Sequence, residues 1–324
     1  MSQTYSVNQS ARDPVLLRTP VHNFQEDRVK QEFSIKDLEN LSGVKAHTIR
    51  VWEQRYSLLS PTRSATNIRT YSGNDLKKLL NVALLLDRGL KISKIAAMAP
   101  AQILEAVQGG PSAHDEGGEQ LAKQRLKVAM MTYDEALFRK TLDECSDRLG
   151  FATTVLNVCL PFLAEVGVLW LTDSICPAHE HFMSNLLRQM LFAQVHKAQV
   201  PETTDEHEVF VLYLPEREIH DISLLFVHQL CREHGLRSIF LGQSVPFDDL
   251  VAVASQFEKV CFVSYCTTYP AEGHAQEYVD RIGRTFDASA VRFCLGGGVF
   301  AGVEGQPNVS VSTHGGGLMQ DVFR

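Results

Sequence analysis

The chain has 324 residues, enough for two or three domains, and its hydrophobic content of 44% and charged content of 21% are ordinary for a globular protein. Its net charge of −7 disfavours nucleic acid as a partner only if the charge is evenly spread. No uninterrupted apolar stretch approaches the length of a membrane span, and the N-terminal residues lack the apolar core of a secretory signal. The seven cysteines form no Cys-x-x-Cys pair and lie mostly in apolar runs, which indicates buried, reduced thiols in a cytoplasmic protein.

Composition and periodicity divide the chain into five segments. Residues 1–31 are polar without a sustained period, which predicts a flexible arm, and residues 106–118 are a glycine-rich linker. Residues 32–105 form a compact segment that is basic near its middle. Residues 119–203 have apolar positions at helical spacing, which predicts a bundle of helices. In residues 204–324 the apolar runs VFVLYL, RSIFLG, KVCFVSY and VRFCLGG alternate with helical stretches, which predicts a parallel α/β sheet.

Positive charge is concentrated in the compact segment. Between Lys45 and Ser72, five basic residues against Glu53 give a local net charge of +4, and the rest of the chain therefore carries −11. A basic module on an acidic body is typical of a protein that confines its DNA affinity to one face. For each arginine taken alone, a solvated surface is the simpler interpretation.

The same segment has the order of a winged helix-turn-helix. A first amphipathic helix ends at the turn Ser42-Gly43-Val44, and a second helix, which would enter the major groove, carries Arg50 and Arg55 outside its inward face. The stretch SPTRSATNIRTYS then predicts a two-stranded wing whose polar side chains are available to phosphates. The inward positions of the two helices are Ile35, Leu38, Leu41, Ile49, Trp52 and Tyr56.

Over about 70 residues this segment resembles the DNA-binding head of the MerR family of transcription regulators, notably in TIRVWEQRYSLLSPTRSATNIRTYSGNDLKKL. The family's wing glycine is replaced by Asn67, a residue that tolerates the left-handed backbone. The resemblance implies a dimer on a pseudo-palindromic promoter. Because the linker interrupts the long helix that follows the wing in the family, we expect dimerisation through the C-terminal body. The residues expected at the DNA are Lys45, His47, Thr48, Arg50, Arg55, Tyr56, Arg63, Asn67, Arg69 and Tyr71.

In an open parallel sheet the ligand lies beyond the carboxyl ends of the strands, and the first such loop holds EIHDIS. This stretch resembles the cobalamin-binding signature Asp-x-His-x-x-Gly, with Glu218, His220 and Ser223 at the three positions. The resemblance implies that His220 is the lower axial ligand of cobalt, with Glu218 taking the other ring N–H and fixing the tautomer. This sequence departs from the signature at Ser223, whose side chain narrows the lower-face pocket. The departure leaves open the alternative that the protein keeps the fold but has lost cobalamin.

The later loops resemble the same family in the same order. FLGQSVPFDDL has a glycine after the second strand and Val-Pro before the next helix, FVSYCTT has a small hydroxyl after the third strand, and FCLGGGVFAG has three glycines after the fourth. The resemblance implies that the serine and the glycines line a slot for the buried nucleotide tail, where small residues are needed. The residues expected around the cofactor in this body are Glu218, His220, Asp221, Ile222, Ser223, Gly242, Val245, Ser264, Gly296, Gly297 and Gly298.

The helical segment contributes GVLWLTDSICPAHEHF, in which Glu180 and His181 follow Trp170 by ten and eleven positions. This spacing resembles the Trp-x9-Glu-His motif in the four-helix cap of cobalamin-dependent photoreceptor repressors of the CarH type, where it covers the upper face of cobalt and its adenosyl group. Taken singly, Trp170 would be a core residue and the other two a solvated helix face. A metal site from Cys176, His179 and His181 lacks an evident fourth ligand.

Together these features predict a multidomain α and α/β protein, with a winged helix-turn-helix head, a four-helix-bundle cap and a Rossmann-like parallel α/β cobalamin-binding domain. The resemblance implies a homo-oligomeric repressor that holds double-stranded promoter DNA in darkness with adenosylcobalamin bound, and that loses DNA affinity when light breaks the cobalt–carbon bond. The leading alternative is a cofactor-free regulator whose body binds a partner protein or another small ligand. A corrinoid methyltransferase is a third interpretation, and because the DNA-binding head argues against it we expect no enzyme activity.

Overall fold

The computed structural model describes six stretches of the chain, which are residues 32–63, 67–108, 118–172, 174–198, 208–271 and 273–323. The predicted arm at 1–31 and residues 109–117 of the predicted linker lie outside them. Within the described stretches a head, a helical bundle and an α/β body follow one another in chain order.

The head is a helix-turn-helix with a small antiparallel sheet, as the sequence predicts. A capping box begins its first helix: the Asp37 carboxylate accepts the N–H of Ser34 (2.7 Å), and the Ser34 hydroxyl accepts the N–H of Asp37 (3.2 Å). Gly43, at φ 74°, ends that helix in the left-handed region. The elements are β1 (Glu32–Phe33), α1 (Ile35–Ser42), α2 (Ala46–Tyr56), β2 (Thr62–Arg63), β3 (Arg69–Ser72), α3 (Gly73–Asp87), α4 (Ile92–Ala96) and α5 (Pro100–Gln108).

The wing has three strands, in the order β1-β3-β2, where the sequence predicts two. The extra strand β1 pairs antiparallel with β3, and Phe33 lies opposite Tyr71. Both side chains are buried, so this pair ties the wing to the core of the head. A two-residue strand leaves no periodic pattern, which is why the sequence does not reveal it.

The second part of the chain folds into the predicted bundle of four helical segments. Asp134 begins the second segment by accepting the N–H of Leu137 (2.9 Å), and Pro177 occupies the first turn of the last one. The elements are α6 (Glu119–Thr132), α7 (Glu135–Leu149), α8 (Phe151–Thr154), a π-helical turn (Val155–Cys159), α9 (Leu160–Leu171) and α10 (Pro177–Lys197).

The continuous helical segment Phe151–Leu171 is long and apolar enough to cross a membrane, although Thr154, Asn157 and Glu165 interrupt its apolar residues. Phe162 and Val166 are nevertheless buried in the core of the bundle. On its polar side Glu165 accepts from the ammonium group of Lys123 in α6 (3.1 Å). Because these buried side chains pack inside the bundle and Glu165 pairs with α6, we interpret the segment as a helix of the bundle.

The body is a five-stranded parallel sheet covered by helices on both faces. Its elements are β4 (Val209–Pro215), α11 (Ile222–Glu233), β5 (Ser238–Val245), α12 (Phe247–Ala254), β6 (Val260–Tyr265), α13 (Ala275–Thr285), β7 (Val291–Gly296), a 3-10 turn (Gly298–Phe300), β8 (Val309–Ser312) and α14 (Gly315–Val322). The strand order is β5-β4-β6-β7-β8. Helices α11 and α14 pack on one face, and α12 and α13 pack on the other. The connections therefore diverge between β4 and β6, where an open α/β sheet binds its ligand.

Two strands differ from the sequence prediction. The edge strand β8, with the sequence VSVS, was not predicted, because four residues with two serines carry too weak a pattern. Strand β5 runs to Val245, so Gly242 lies inside the strand and not after it. Gly242 has φ 80°, and the register between β4 and β5 shifts next to it, so this glycine allows an irregularity in the edge strand.

The head is in direct contact with the bundle. The two share one hydrophobic core, in which α3 packs on α6. The side-chain amide of Asn40 in α1 also donates to the hydroxyl of Ser174 (3.1 Å). Ser174 is fully buried just before α10, so the stretch between Trp170 and the last bundle helix touches the head.

Candidate functional site

Helix α2 carries the predicted DNA-contacting side chains on its outer surface. His47 and Arg50 are exposed, whereas Ile49 and Trp52 are buried in the head. Lys45 precedes the helix and is exposed, with its ammonium group 3.2 Å from the Glu39 carboxylate. The outer surface of the recognition helix is therefore free to enter a DNA groove.

Three further predicted DNA-contacting residues of α2, which are Thr48, Arg55 and Tyr56, lie beside this exposed surface. The guanidinium carbon of Arg55 lies 5.5 Å from the ring centroid of Tyr56, and the Tyr56 ring is half-buried against the head core. Thr48 is also half-buried, on the first turn of the helix. These three side chains flank the exposed surface and add a cation and hydroxyl groups to it.

The wing orients two arginines. The guanidinium of Arg63 donates to the Asn67 side-chain carbonyl (2.6 Å), and Asn67 adopts φ 62°, the left-handed conformation that the sequence predicts for the wing glycine position. Arg69 lies 3.2 Å from the Glu53 carboxylate, so its orientation is set from α2. Residues 64–66, between the two strands, lie outside the described residues.

Tyr71 differs from its predicted exposed position. Its side chain is only 1% exposed, and its hydroxyl donates to the Glu53 carboxylate. Burial, together with the hydrogen bond to Glu53 and its charge, raises the pKa of Tyr71 well above its ordinary value, so the hydroxyl stays protonated. In this position Tyr71 supports the wing from the core, where a DNA phosphate does not reach it.

In the body, the buried carboxylate of Glu218 joins two loops at the carboxyl ends of β4 and β6. Its Oε1 accepts the backbone N–H groups of Ile219 (2.9 Å) and His220 (3.0 Å). Its Oε2 accepts three consecutive backbone N–H groups from the loop after β6. These belong to Thr267 (2.9 Å), Thr268 (2.6 Å) and Tyr269 (2.9 Å).

The same carboxylate orients the predicted cobalt ligand. Nδ1 of His220 lies 2.6 Å from Oε1 of Glu218, while the His220 side chain is 49% exposed. Burial alone would raise the pKa of Glu218, but the hydrogen bonds from His220 and the backbone hold this pKa well below its ordinary value. An ionised carboxylate only accepts, so Nδ1 carries a proton, and in the neutral imidazole that binds a metal Nε2 keeps its lone pair. Nε2 makes no hydrogen bond to any residue that the structure describes, which leaves it available to a metal.

The residue after this histidine ties the loop to its surroundings. The carboxylate of Asp221 accepts two hydrogen bonds from the guanidinium of Arg188 in α10 (3.0 and 2.9 Å) and one from the side-chain amide of Gln243 in β5 (2.9 Å). Gln243 also donates to the carbonyl oxygen of Ile219 (2.8 Å). The loop is therefore fixed from the bundle on one side and from the edge strand on the other.

The predicted cap residues lie at the ends of two bundle helices. Trp170 is 51% exposed at the end of α9, so it is not a core residue. Glu180 and His181 lie in the first turns of α10 and are paired with each other, Oε2 to Nδ1 (2.5 Å). The hydrogen bond to Glu218 is the main cause that raises the pKa of His220, and the charge of Glu180 contributes.

The predicted tail slot is lined by tightly packed small residues. Ser264 is fully buried, with its hydroxyl 3.3 Å from the sulfur of Cys266. Gly297 has φ 123°, and a Cβ there would lie 1.9 Å from the carbonyl oxygen of Cys266, so only glycine fits. A Cβ on Gly298 would point into open space.

The remaining glycine of the slot, Gly296, faces the ring of Tyr265. A Cβ on Gly296 would lie 3.0 Å from Cδ2 of Tyr265 and 3.1 Å from the Leu318 side chain. The ring of His220 and the supporting carboxylate of Glu218, by contrast, fit a cobalt ligand as they stand. A tail entering beside Gly296 requires the half-exposed Tyr265 ring to move aside.

The other predicted cofactor contacts lie around the same crevice. Ile222 and Ser223, both half-buried, form the first turn of α11 directly after Asp221. Gly242 is buried in β5, and Val245 is its half-buried last residue. The Ser223 side chain thus lies at the start of the helix that follows the histidine loop.

The alternative metal site does not assemble. Nδ1 of His179 faces the sulfur of Cys176 (3.2 Å), whereas His181 is paired with Glu180. Across the stretches that the structure describes, no group of three or more His, Cys, Asp or Glu side chains is arranged to hold a metal ion. Cys176 is half-exposed, while the other six cysteines are buried as predicted.

Sequence reasoning missed three participants in this site, which are Arg188, Gln243 and the N–H groups of residues 267–269. Each comes from an element far along the chain from the histidine loop. A surface arginine, a glutamine and a loop backbone have no periodicity or motif of their own. Their roles appear only when the strands are paired.

Comparisons with known proteins identify the head and the bundle. Residues 33–102 match the family model described as MerR HTH family regulatory protein, and residues 122–193 match the model described as B12 binding domain. Among solved structures, the chain resembles the monomethylamine corrinoid protein of Methanosarcina barkeri, with a TM-score of 0.50 and 15% identity over 63% of this chain and 98% of that one. This likeness shows the fold of the bundle and body alone.

Two curated relatives match about two thirds of the chain. The HTH-type transcriptional repressor CarH of Myxococcus xanthus is 30% identical over 226 residues, covering 68% of this chain and 74% of that protein. The HTH-type transcriptional repressor CarA of the same organism is 26% identical over 214 residues, covering 65% of this chain and 68% of that protein. The chain is thus a transcription regulator with a promoter-binding MerR-type head and a B12-binding domain.

Proposed function

The chain belongs to the family of MerR-type transcription regulators with a cobalamin-binding body, which includes CarH, and we propose that it is a light-responsive repressor that uses adenosylcobalamin. The observation that carries the proposal is the pair of Glu218 and His220. A half-exposed histidine whose Nδ1 is bound to a buried carboxylate, and whose Nε2 has no bond to any described residue, is well suited to bind cobalt.

The residues of this chain would hold the cofactor between the body and the bundle. His220 would hold cobalt through Nε2, and Trp170, Glu180 and His181 would hold the adenosyl group from the bundle. Adenosylcobalamin supplies a cobalt–carbon bond that visible light breaks. Trp170, exposed at the end of α9, would contact the adenosyl group, so α9 would lose a contact when that group is absent.

The expected output is a change in DNA affinity. The bundle is linked to the body by Arg188 and Asp221, and to the head by Ser174 and Asn40. A shift of the bundle helices therefore reaches the recognition helix through residues in contact. We propose that the cofactor-bound protein is a homo-oligomer that holds its promoter in darkness, and that it acts without catalysing a reaction.

A cofactor-free regulator is the second candidate, and two observations favour it. The side chain of Ser223 stands where the cobalamin signature has glycine, and the ring of Tyr265 fills the space beside Gly296. Both side chains would have to move to make room for the nucleotide tail of cobalamin. In that case the body would bind a partner protein or another small ligand.

One experiment separates the two candidates. The purified full chain is mixed with adenosylcobalamin in darkness, its visible spectrum is recorded before and after illumination, and promoter affinity is measured in both states. We expect bound cofactor, a spectral change on illumination and a fall in DNA affinity. No binding of adenosylcobalamin would overturn the proposal in favour of the cofactor-free regulator.

His220→Ala tests the ligand itself. The variant should lose cobalamin affinity, or bind it with the spectrum of the free, base-on form, because the lower ligand is absent. Its fold should survive, since Glu218 keeps its five backbone donors. His196→Ala, which removes an exposed histidine at the far end of α10, is the matched control. A variant spectrum identical to that of the parent protein would show that His220 is not the ligand.

A further inference from the structure

One exposed side chain of α2 differs in chemistry from its exposed neighbours. The outer surface of this helix carries His47, Arg50, Gln54 and Arg55, all of which can form hydrogen bonds. Val51 lies among them and is 49% exposed. It follows His47 by four positions and precedes Gln54 by three, so these three side chains form one row along the helix, with an arginine on either side. Val51 is therefore at the centre of the surface expected at DNA.

Helix stability gives no reason for a valine at this position. A β-branched side chain loses rotamer freedom in a helix, so valine is a poorer helix former than an unbranched polar residue. Ile49, the other β-branched aliphatic residue of α2, is fully buried and gains from packing in the head. Val51 keeps about half of its side chain in water and lacks most of that gain. Its apolar surface is available to a binding partner instead.

The exposed apolar surface of the head lies on the two elements expected to contact DNA. Among the side chains of the head that the structure describes, the exposed large apolar ones are Val51 in α2 and Ile68, directly before β3 of the wing. Scattered apolar residues are ordinary on a protein surface, but these two share their elements with the exposed arginines Arg50 and Arg63. Their placement indicates a contact surface.

The major groove of DNA offers a valine one complementary group. The base edges there present hydrogen-bond donors and acceptors, and their apolar group is the C5-methyl of thymine. Valine has no donor or acceptor in its side chain, so opposite a polar edge it would displace water without replacing the hydrogen bonds. Opposite a methyl group it would bury apolar surface on both partners. Thymine is therefore the base that Val51 favours.

We propose that Val51 is a specificity-determining residue that reads the C5-methyl group of one thymine in each half-site of the promoter. The inference rests on the entry of α2 into the major groove, and it does not depend on light or cobalamin. His47 and Gln54, before and after Val51 in the same row, face the neighbouring base pairs in this arrangement, where their polar groups can bind base edges.

Val51→Ala tests the contact without weakening the helix. The substitution removes two methyl groups, and because alanine is the better helix former, the head should stay folded. Val251→Ala is the matched control. Val251 is 43% exposed in α12 of the body, so the same two methyl groups are removed from a helix surface far from the recognition helix in the chain.

The probe is a DNA duplex that the full parent chain selects from a random library, in darkness with adenosylcobalamin and separately without it. Each thymine of the selected half-site is then replaced by deoxyuridine, which removes only the C5-methyl group. We expect one thymine whose replacement weakens binding of the parent protein about fourfold per half-site, as for one buried methylene-sized group. Val51→Ala should bind the thymine and deoxyuridine duplexes equally, whereas Val251→Ala should discriminate as the parent does.

Two results would overturn the proposal. One is a selection that fixes no thymine, and the other is a double-mutant cycle in which Val51→Ala and deoxyuridine are additive at every position. Arg50→Ala separates this failure from a wrong placement of α2. If Arg50→Ala weakens binding and the cycle is additive, then α2 is at the DNA and only the assignment of Val51 fails. If neither substitution changes affinity, the DNA interface lies elsewhere and both fail.

Discussion

The head and the body are each organised by one buried carboxylate, and the partners of the two carboxylates differ in kind. In the head, Glu53 holds two side chains of the wing, the hydroxyl of Tyr71 and the guanidinium of Arg69. In the body, Glu218 holds five backbone N–H groups and the ring of His220. Side-chain partners can be exchanged one at a time by substitution, whereas backbone donors remain and become unsatisfied when the acceptor is lost.

This difference matches the task of each region. The wing has to adjust to a DNA backbone, and its two contacts to Glu53 can be remade individually. The crevice has to present one nitrogen in one orientation, so a charge surrounded by fixed donors is the more rigid solution. Substitutions at Glu218 should therefore damage the fold, and substitutions on the exposed surface of the head should damage function first.

The largest expected effect is that of Glu218→Gln. The amide keeps only one acceptor oxygen and presents N–H groups to backbone donors, so several buried N–H groups lose their partner. We expect a loss of about 3 to 5 kcal/mol in the free energy of unfolding of the body. Urea unfolding gives the loss, and hydrogen exchange of the amides of residues 267–269 should accelerate with it.

Glu258→Gln is the matched control, because Glu258 is an exposed carboxylate of the same body. It should change the free energy of unfolding by less than about 0.5 kcal/mol. If Glu218→Gln is equally mild, with the exchange of residues 267–269 unchanged, then the body does not depend on this carboxylate and the contrast with Glu53 disappears.

The next effect is that of Arg50→Ala, in the head. Arg50 is exposed on the outer surface of α2, so its loss should leave the fold unchanged. Removing a groove or phosphate contact costs about 1 to 3 kcal/mol, roughly a five- to 150-fold loss of promoter affinity. Fluorescence anisotropy at fixed salt concentration measures it. Lys140→Ala, a charge loss on an exposed lysine of the bundle, should reduce affinity far less, and equal losses would place Arg50 outside the interface.

The head could be predicted from the sequence because its determinants are contiguous. The capping residues, the turn at Gly43, the buried face of α2 and the left-handed Asn67 all lie within about 40 residues of one another. Each position constrains its neighbours through helix or hairpin geometry, so a linear pattern carries the structure. The strand β1 was not predicted, because two residues form no periodic pattern.

The body could be predicted only in part, since its decisive contacts join distant positions. Glu218 and His220 were predicted as partners because they lie two positions apart, but the donors at residues 267–269 follow about 50 positions later. Their backbone N–H groups carry no sequence signal at all. The ring of Tyr265 beside Gly296 was missed for the same reason, since it depends on the pairing of β6 with β7.

The smallest expected effect is that of Tyr71→Phe, which decides between the predicted and the observed position of this side chain. The variant removes one hydrogen bond to the buried Glu53 carboxylate, which keeps Arg69 as its partner. We expect a loss of about 1 to 2 kcal/mol in the free energy of unfolding of the head. Promoter affinity, measured at a temperature where both proteins are fully folded, should be unchanged, because a hydroxyl buried in the core touches no phosphate. The opposite result, full stability with affinity reduced fivefold or more, would mean that Tyr71 leaves the core and contacts DNA as the sequence predicts. Glu53 would then hold the wing through Arg69 alone.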